Sequence, residues 1–190
     1  MYFANMYCYG HDNDLVGITG IRGCMGLIYV GAASIYAVHI PPNTPQEDAV
    51  GGKTFADWVK NQEGATGPGH CQLFAFCNGT NRSEVKKVKK ALNSPPTILY
   101  RINKHLGPKS GGNQAEAAVI MLQRVYATAR EPTGCVVWYT SQNKVSWKAG
   151  GKAETGQYKQ KPAFQGAEIP SDLECHWWMM DEMTTSSTTI

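Results

Sequence analysis

The run Met25–Ile40, MGLIYVGAASIYAVHI, constrains the fold more than any other part of the chain. It is apolar except for Ser34 and His39. It falls short of the ~20 residues that a membrane-spanning helix needs, and no membrane span is expected. Its small and β-branched residues suit strands. Residues 27–30 (LIYV) and 35–40 (IYAVHI) read as two strands joined by GAAS, and PPNTP ends the second sharply.

The polar ends of this hairpin raise a chemical question. Cys24 precedes the first strand in the stretch TGIRGC, and His39 closes the second in AVHIPP. If the chain turns at GAAS so that Val30 faces Ile35, Gly26 lies opposite His39 and Cys24 opposite Pro41. Alternate residues of a strand share a face, so Cys24 and His39 become diagonal neighbours, roughly 5–8 Å apart at the backbone. The glycine across from the imidazole is expected to leave it room. A slip of one residue sends the pair to opposite faces.

A cysteine beside a histidine permits nucleophilic chemistry. The imidazole takes the thiol proton and stabilises the thiolate. Backbone N–H groups of Gly23 and Cys24, reached through glycines, suit a developing oxyanion. A third group orients the histidine, with Thr19 nearest in sequence and a backbone carbonyl as the alternative. The residues alone leave a second reading open, a core thiol and a strand-end histidine with no joint role.

The order Gly23-Cys24, strand, turn, strand, His39 followed by Pro resembles the papain-like glutamine deamidases of the CheD and cytotoxic necrotizing factor type, a group that includes the compact Burkholderia lethal factor. The match spans residues 19–42. Thr19 stands one position closer to the cysteine than the family's upstream threonine. The resemblance implies a cysteine-dependent hydrolase with Cys24 as nucleophile, His39 as proton donor to departing ammonia, and neither metal nor organic cofactor. It also implies a bacterial toxin or effector acting as a monomer in host cytoplasm. Its target would be a host protein, of the small GTPase or translation-initiation helicase type. A transglutaminase or cysteine peptidase using the same pair is the neighbouring chemistry. A non-enzymatic β-sandwich binding module is the alternative of a different class.

The rest of the chain is compatible with a single catalytic domain over 1–183 and a frayed tail at 184–190. A length of 190 residues with 42% hydrophobic and 17% charged side chains suits one soluble core. A net charge of +3 is too weak to argue for direct nucleic-acid binding. Cysteines 8, 24, 71, 77, 135 and 175 are too dispersed for a disulfide framework. Cys8-x-x-His11 with Cys71 and Cys77 lacks the paired knuckles of a zinc site, so no metal is expected. The opening MYFANMYCYG lacks the basic and apolar regions of a classical signal peptide.

Further elements follow from local pattern. A strand is expected over 1–9 and a turn at HDND (11–14). Helices are expected over Gln46–Gln62 and over Ser83–Leu92, the latter capped by Ser83 and carrying Lys86, Lys87, Lys89 and Lys90 on a solvated face. Strands are expected at 71–77, 98–102 and the second half of 115–127, with loops at 64–69 and 109–113. A hairpin is expected between 135–141 and 144–148, then an exposed loop over 149–166. Trp138, Trp147, Trp177 and Trp178 suit core packing, or a sugar-binding platform. The sum is a sheet-dominated α+β domain, sandwich-like, with a few short helices.

Overall fold

Residues 1–5, 7–21, 23–64, 72–77, 81–101, 118–128, 131–140, 146–148, 154–155 and 173–179 are described by a computed structural model. Among them are two six-stranded sheets. The first runs β1 (Tyr2–Ala4), β3 (Leu15–Ile21), β8 (Ala118–Thr128), β9 (Glu131–Thr140), β12 (Leu173–Met179), β11 (Glu154–Thr155). The second runs β10 (Ser146–Lys148), β7 (Thr97–Arg101), β6 (Gln72–Cys77), β4 (Met25–Val30), β5 (Ile35–Ile40), β2 (Tyr9–Asp12). Helices α1 (Gly52–Glu63) and α2 (Arg82–Ala91) complete a mixed α+β fold dominated by strand.

The continuous apolar character of the hairpin follows from its burial on both sides. Ile28, Val30, Ile35 and Ala37 point between the sheets and meet Val16, Ile18, Ile120, Leu122 and Val137. The alternate residues Leu27, Tyr36, Val38 and Ile40 face the helices, against Phe55, Val59, Val85 and Val88. The order is therefore helices, sheet, sheet, with the β4–β5 hairpin in the middle layer. Among the described residues no helix is long and apolar enough to cross a membrane.

The turn of this hairpin is held from both sides. The Gly31 N–H donates to the Ser34 carbonyl at 2.9 Å. From α1, Glu63 accepts the N–H of Ala32 at 2.8 Å and those of Ala33 and Ser34 at 3.3 Å. From the other sheet, buried Arg124 donates to the carbonyls of Gly31, Ala32 (3.3 Å) and Ser34 (3.0 Å). A carboxylate thus takes the turn's donors and a guanidinium its acceptors, the charge-assisted arrangement that fixes a loop most firmly. The resulting register pairs Val30 with Ile35 and Gly26 with His39, as the GAAS turn required.

Several local expectations are corrected. Residues 1–9 are not one strand. β1 joins the first sheet parallel to β3, whereas β2 joins the second antiparallel to β5. A turn between them carries Tyr7 at φ 65° and a Cys8 N–H bond to the Asn5 carbonyl at 3.0 Å. His11 and Asp12 belong to β2, and the turn beyond is made by Asp12 Oδ1 accepting the N–H groups of Asp14 and Leu15. LVGITGI is strand β3. Helix α1 starts at Gly52, after an extended Gly51 whose Cβ, if present, would stand 2.3 Å from the carbonyl oxygens of Pro45 and Gln46. Asn81, and not Ser83, occupies the α2 N-cap position.

The later strands also depart from expectation. Residues 118–128 are strand throughout. The expected hairpin of 135–141 with 144–148 does not form: β9 pairs with β8 and β12, and β10 pairs with β7 in the other sheet. Cys135, Val136, Val137 and Trp138 are all buried, and a strand buried on both faces belongs in a sheet's interior with a partner on each edge. Part of the expected 149–166 loop is strand β11, the remainder and the 184–190 tail lying outside the described residues. The expected loop at 109–113 also lies outside them.

Gly31 gives a test of the clamp. A Cβ there would lie 2.3 Å from Glu63 Oε1, so a methyl group expels the carboxylate and its three bonds are lost. Gly31→Ala and Glu63→Ala should each lower stability by about 1–3 kcal/mol in urea unfolding. The double variant should cost no more than the worse single; additive losses would mean that the two residues act separately.

Candidate active site

Cys24 sits in the bend between β3 and β4, and its side chain enters the core between the sheets with 8% exposed. His39, one residue from the end of β5, is fully buried at 0% exposure. Gly26 pairs with His39, and Gly26 and Cys24 are two apart, so both side chains occupy the inter-sheet face as diagonal neighbours. They are not hydrogen-bonded. Both imidazole nitrogens are buried without a hydrogen-bond partner among the described residues.

The room expected above Gly26 is filled from the opposing sheet. A Cβ at Gly26 would lie 2.6 Å from Ile21 Cδ1 and 3.0 Å from Ile18 Cδ1. Glycine is needed here for sheet-on-sheet packing, and two isoleucines take the space that the ring was expected to use. The ring instead meets β3 at Gly20, whose Cβ position would be 3.9 Å from His39 Cε1. Gly20 has φ 76°, at a shift of register between Ile18 and Ile21 along the β3–β8 ladder. This left-handed conformation suits glycine, and it sets the backbone over the imidazole.

Burial pushes His39 below its ordinary 6.5, and the main chains of Thr19 and Ala4 oppose that shift. A group that favours the charged imidazole is an acceptor, so the carbonyls of these residues face the ring, although neither completes a hydrogen bond. Thr19 thus approaches His39 through its backbone. Its hydroxyl is hydrogen-bonded to Asn5 Oδ1. The N–H of His39 donates to the Cys8 carbonyl at 3.1 Å.

Gly23 is half-buried, and a Cβ built there would meet nothing within 4 Å. Open space therefore lies beside Cys24 at the end of the sandwich. On the helix side of the same end is a cavity of about 400 Å³ lined in part by Met25, Ile40, Thr44, Gln46 and Lys87. Its wall includes Glu84, which accepts from Gln46 and pairs with Lys87 at 2.8 Å. Of the α2 lysines, Lys86, Lys87 and Lys90 are exposed and Lys89 half-buried.

Cys77 faces the helices, and burial pushes its thiol up to about 12. Cys135 is likewise held protonated by burial, well above its ordinary value. Cys135 shares the inter-sheet core with Cys24, whereas Cys77 does not, and among the described residues no three His, Cys, Asp or Glu side chains are grouped to hold a metal ion. The region around His39 also contains Ala4, Asn5 and Gly20, which the sequence reading had not singled out, and Cys8, which it had weighed only as a metal ligand. Only the break between β1 and β2 brings Ala4, Asn5 and Cys8 there, and Tyr7 at its centre carries no turn signal. No protein-family model matches the chain, and no curated protein matches it.

The burial of His39 has a consequence for stability. The unfolded chain binds a proton at His39 near pH 6.5, whereas the folded chain binds it only at lower pH. Stability should therefore fall as pH drops through 6.5, by up to about 1.4 kcal/mol per pH unit, and level off below the folded value. Urea unfolding across this range should show a flatter acid limb in His39→Gln.

Proposed function

We propose that the chain is a cysteine-dependent protein glutamine deamidase with the papain-like deamidase fold of the CheD and cytotoxic necrotizing factor type. The observation that carries the reading is the β4–β5 register, which sets Cys24 and His39 on one face of one hairpin at the spacing of that family. Two further features support it. Open space adjoins Cys24 at Gly23, and the neighbouring cavity offers a seat for the segment flanking a target glutamine.

In this mechanism the Cys24 thiolate attacks the carboxamide carbon of the glutamine. The N–H groups of Gly23 and Cys24 donate to the oxyanion. His39 delivers a proton to the departing ammonia, and water then hydrolyses the thioester to leave glutamate. The carbonyl of Thr19 orients the imidazole. Thiol and imidazole must close to hydrogen-bond distance in the substrate complex, as catalytic pairs commonly do. No cofactor enters these steps. The substrate is a host protein of the small GTPase or translation-initiation helicase class, modified in host cytoplasm by a secreted bacterial effector.

Ammonia release and the Gln-to-Glu mass change in candidate targets test this reading. Cys24→Ser should lower the rate by about three orders of magnitude or more, and activity that survives the substitution sinks the proposal. Incorporation of amines would indicate transglutaminase chemistry with the same pair, and chain cleavage a peptidase. A Cys24 that resists mild alkylation, with no turnover of any target, would favour the binding module.

A further inference from the structure

The two helices that cover the second sheet carry charge differently. In α1, Lys53 and Lys60 are balanced by Asp57 and Glu63, and Asp57 bridges the two lysines at 2.8 and 3.0 Å. In α2, Arg82, Lys86, Lys87, Lys89 and Lys90 face a single carboxylate, Glu84. Five cations against one carboxylate leave this helix at +4, more than the +3 of the whole chain. Lys87 pairs with Glu84, whereas Arg82, Lys86, Lys89 and Lys90 form no ion pair with any described residue.

Residues three and four apart on a helix are neighbours, so Arg82 stands beside Lys86 and Lys86 beside both Lys89 and Lys90. Like charges at these spacings work against the helix that holds them. Val85 and Val88 point into the fold, which leaves Arg82, Lys86, Lys87 and Lys90 as one exposed basic stripe. The stripe begins at a cavity. Exposed Ser83 and Lys87 belong to the wall of the 400 Å³ cavity described above, together with the Met25–Ile40 pair. Met25 and Ile40 follow Cys24 and His39 in the chain and face the helices, so cavity and candidate pair lie back to back at one end of the hairpin.

The lining selects among anions. Glu84 in the cavity wall repels a continuous run of phosphates, which disfavours a nucleic-acid strand. A helix that lies on a membrane offers an apolar face to the lipid, but Val85 and Val88 are spent on the core. An acidic polypeptide suits both parts. Its apolar side chains can enter between Met25, Ile40 and Pro45, and its carboxylates can meet the stripe.

We propose that this cavity and the α2 stripe form a docking site for an acidic protein segment interrupted by apolar residues. The segment flanks the target glutamine, a placement that rests on the deamidase reading.

A fluorescent peptide that alternates leucine and glutamate around one glutamine, titrated with the full chain, tests the site by anisotropy. It should bind about tenfold or more tightly than the same peptide with every glutamate replaced by glutamine, and added salt should shrink that difference. Lys86→Glu with Lys90→Glu, both exposed, should remove most of the preference. Ser83→Trp leaves the charge unchanged and puts a ring at the cavity wall; it should weaken binding too, which diffuse attraction to lysines does not predict. The proposal is overturned by equal binding of the two peptides, by a preference that both variants leave intact, or by tighter binding of polyuridine or phosphatidylserine vesicles. Ammonia release separates the two readings. Docking in the expected pattern without turnover supports the site and counts against the deamidase alone, and turnover indifferent to acidic flanks counts against the site alone.

Discussion

The placement of the candidate site depends on a turn that lies at the far end of the hairpin from it. Glu63 and Arg124 grip the peptide groups of Gly31–Ser34 from opposite sides, one through N–H groups and the other through carbonyls. A strand pairing has a side-chain period of two, so one residue of slippage would turn the whole face of β5 over. Apolar content does not prevent that slip here, because β4 and β5 are buried on both faces and either set of side chains is hydrophobic. The polar clamp supplies the discrimination that the apolar pattern lacks. His39 between the sheets is thus a consequence of charges that hold the GAAS turn.

The same clamp ties together the three layers. Glu63 ends α1, Arg124 belongs to the first sheet, and the turn they share belongs to the second. Gly31 makes this possible by leaving the volume that the carboxylate occupies. Tyr36 faces the arrangement from β5, its hydroxyl raised by burial and by Glu63. Removing Arg124 leaves the buried carbonyls of Gly31 and Ser34 short of a donor, which costs more than the net value of the bonds themselves.

Much of this was legible in sequence where a strong local signal existed. The hairpin ends, the register from GAAS and the burial of Phe55 and Val59 follow from apolar runs, turn residues and spacing. What was not legible came from the opposing sheet. Gly26 reads in the sequence as space, but Ile18 and Ile21 fill it, and nothing in a single strand reports which residues stack on it from the other layer. The split of 1–9 into strands of different sheets was hidden for a related reason. Aromatic, strand-forming residues occupy both sides of a break whose positive φ falls on Tyr7. The partners of β9 and β10 likewise depend on which edges are free, a property of the assembled sheets.

That early crossover explains why two cysteines of this region differ in exposure. β1 and β2 lie on different sheets, so the chain between them passes around the open edge of the sandwich, and Cys8 enters at that edge. Cys24 enters two strands further inward, at the start of β4. One thiol is therefore accessible and the other packed between the sheets. A buried base with no hydrogen-bond partner is costly to keep, and neutral imidazole is the form that burial favours. Neutral imidazole is also the form able to accept a proton from a thiol. The environment that makes His39 expensive for stability is the one that suits it to work on a cysteine.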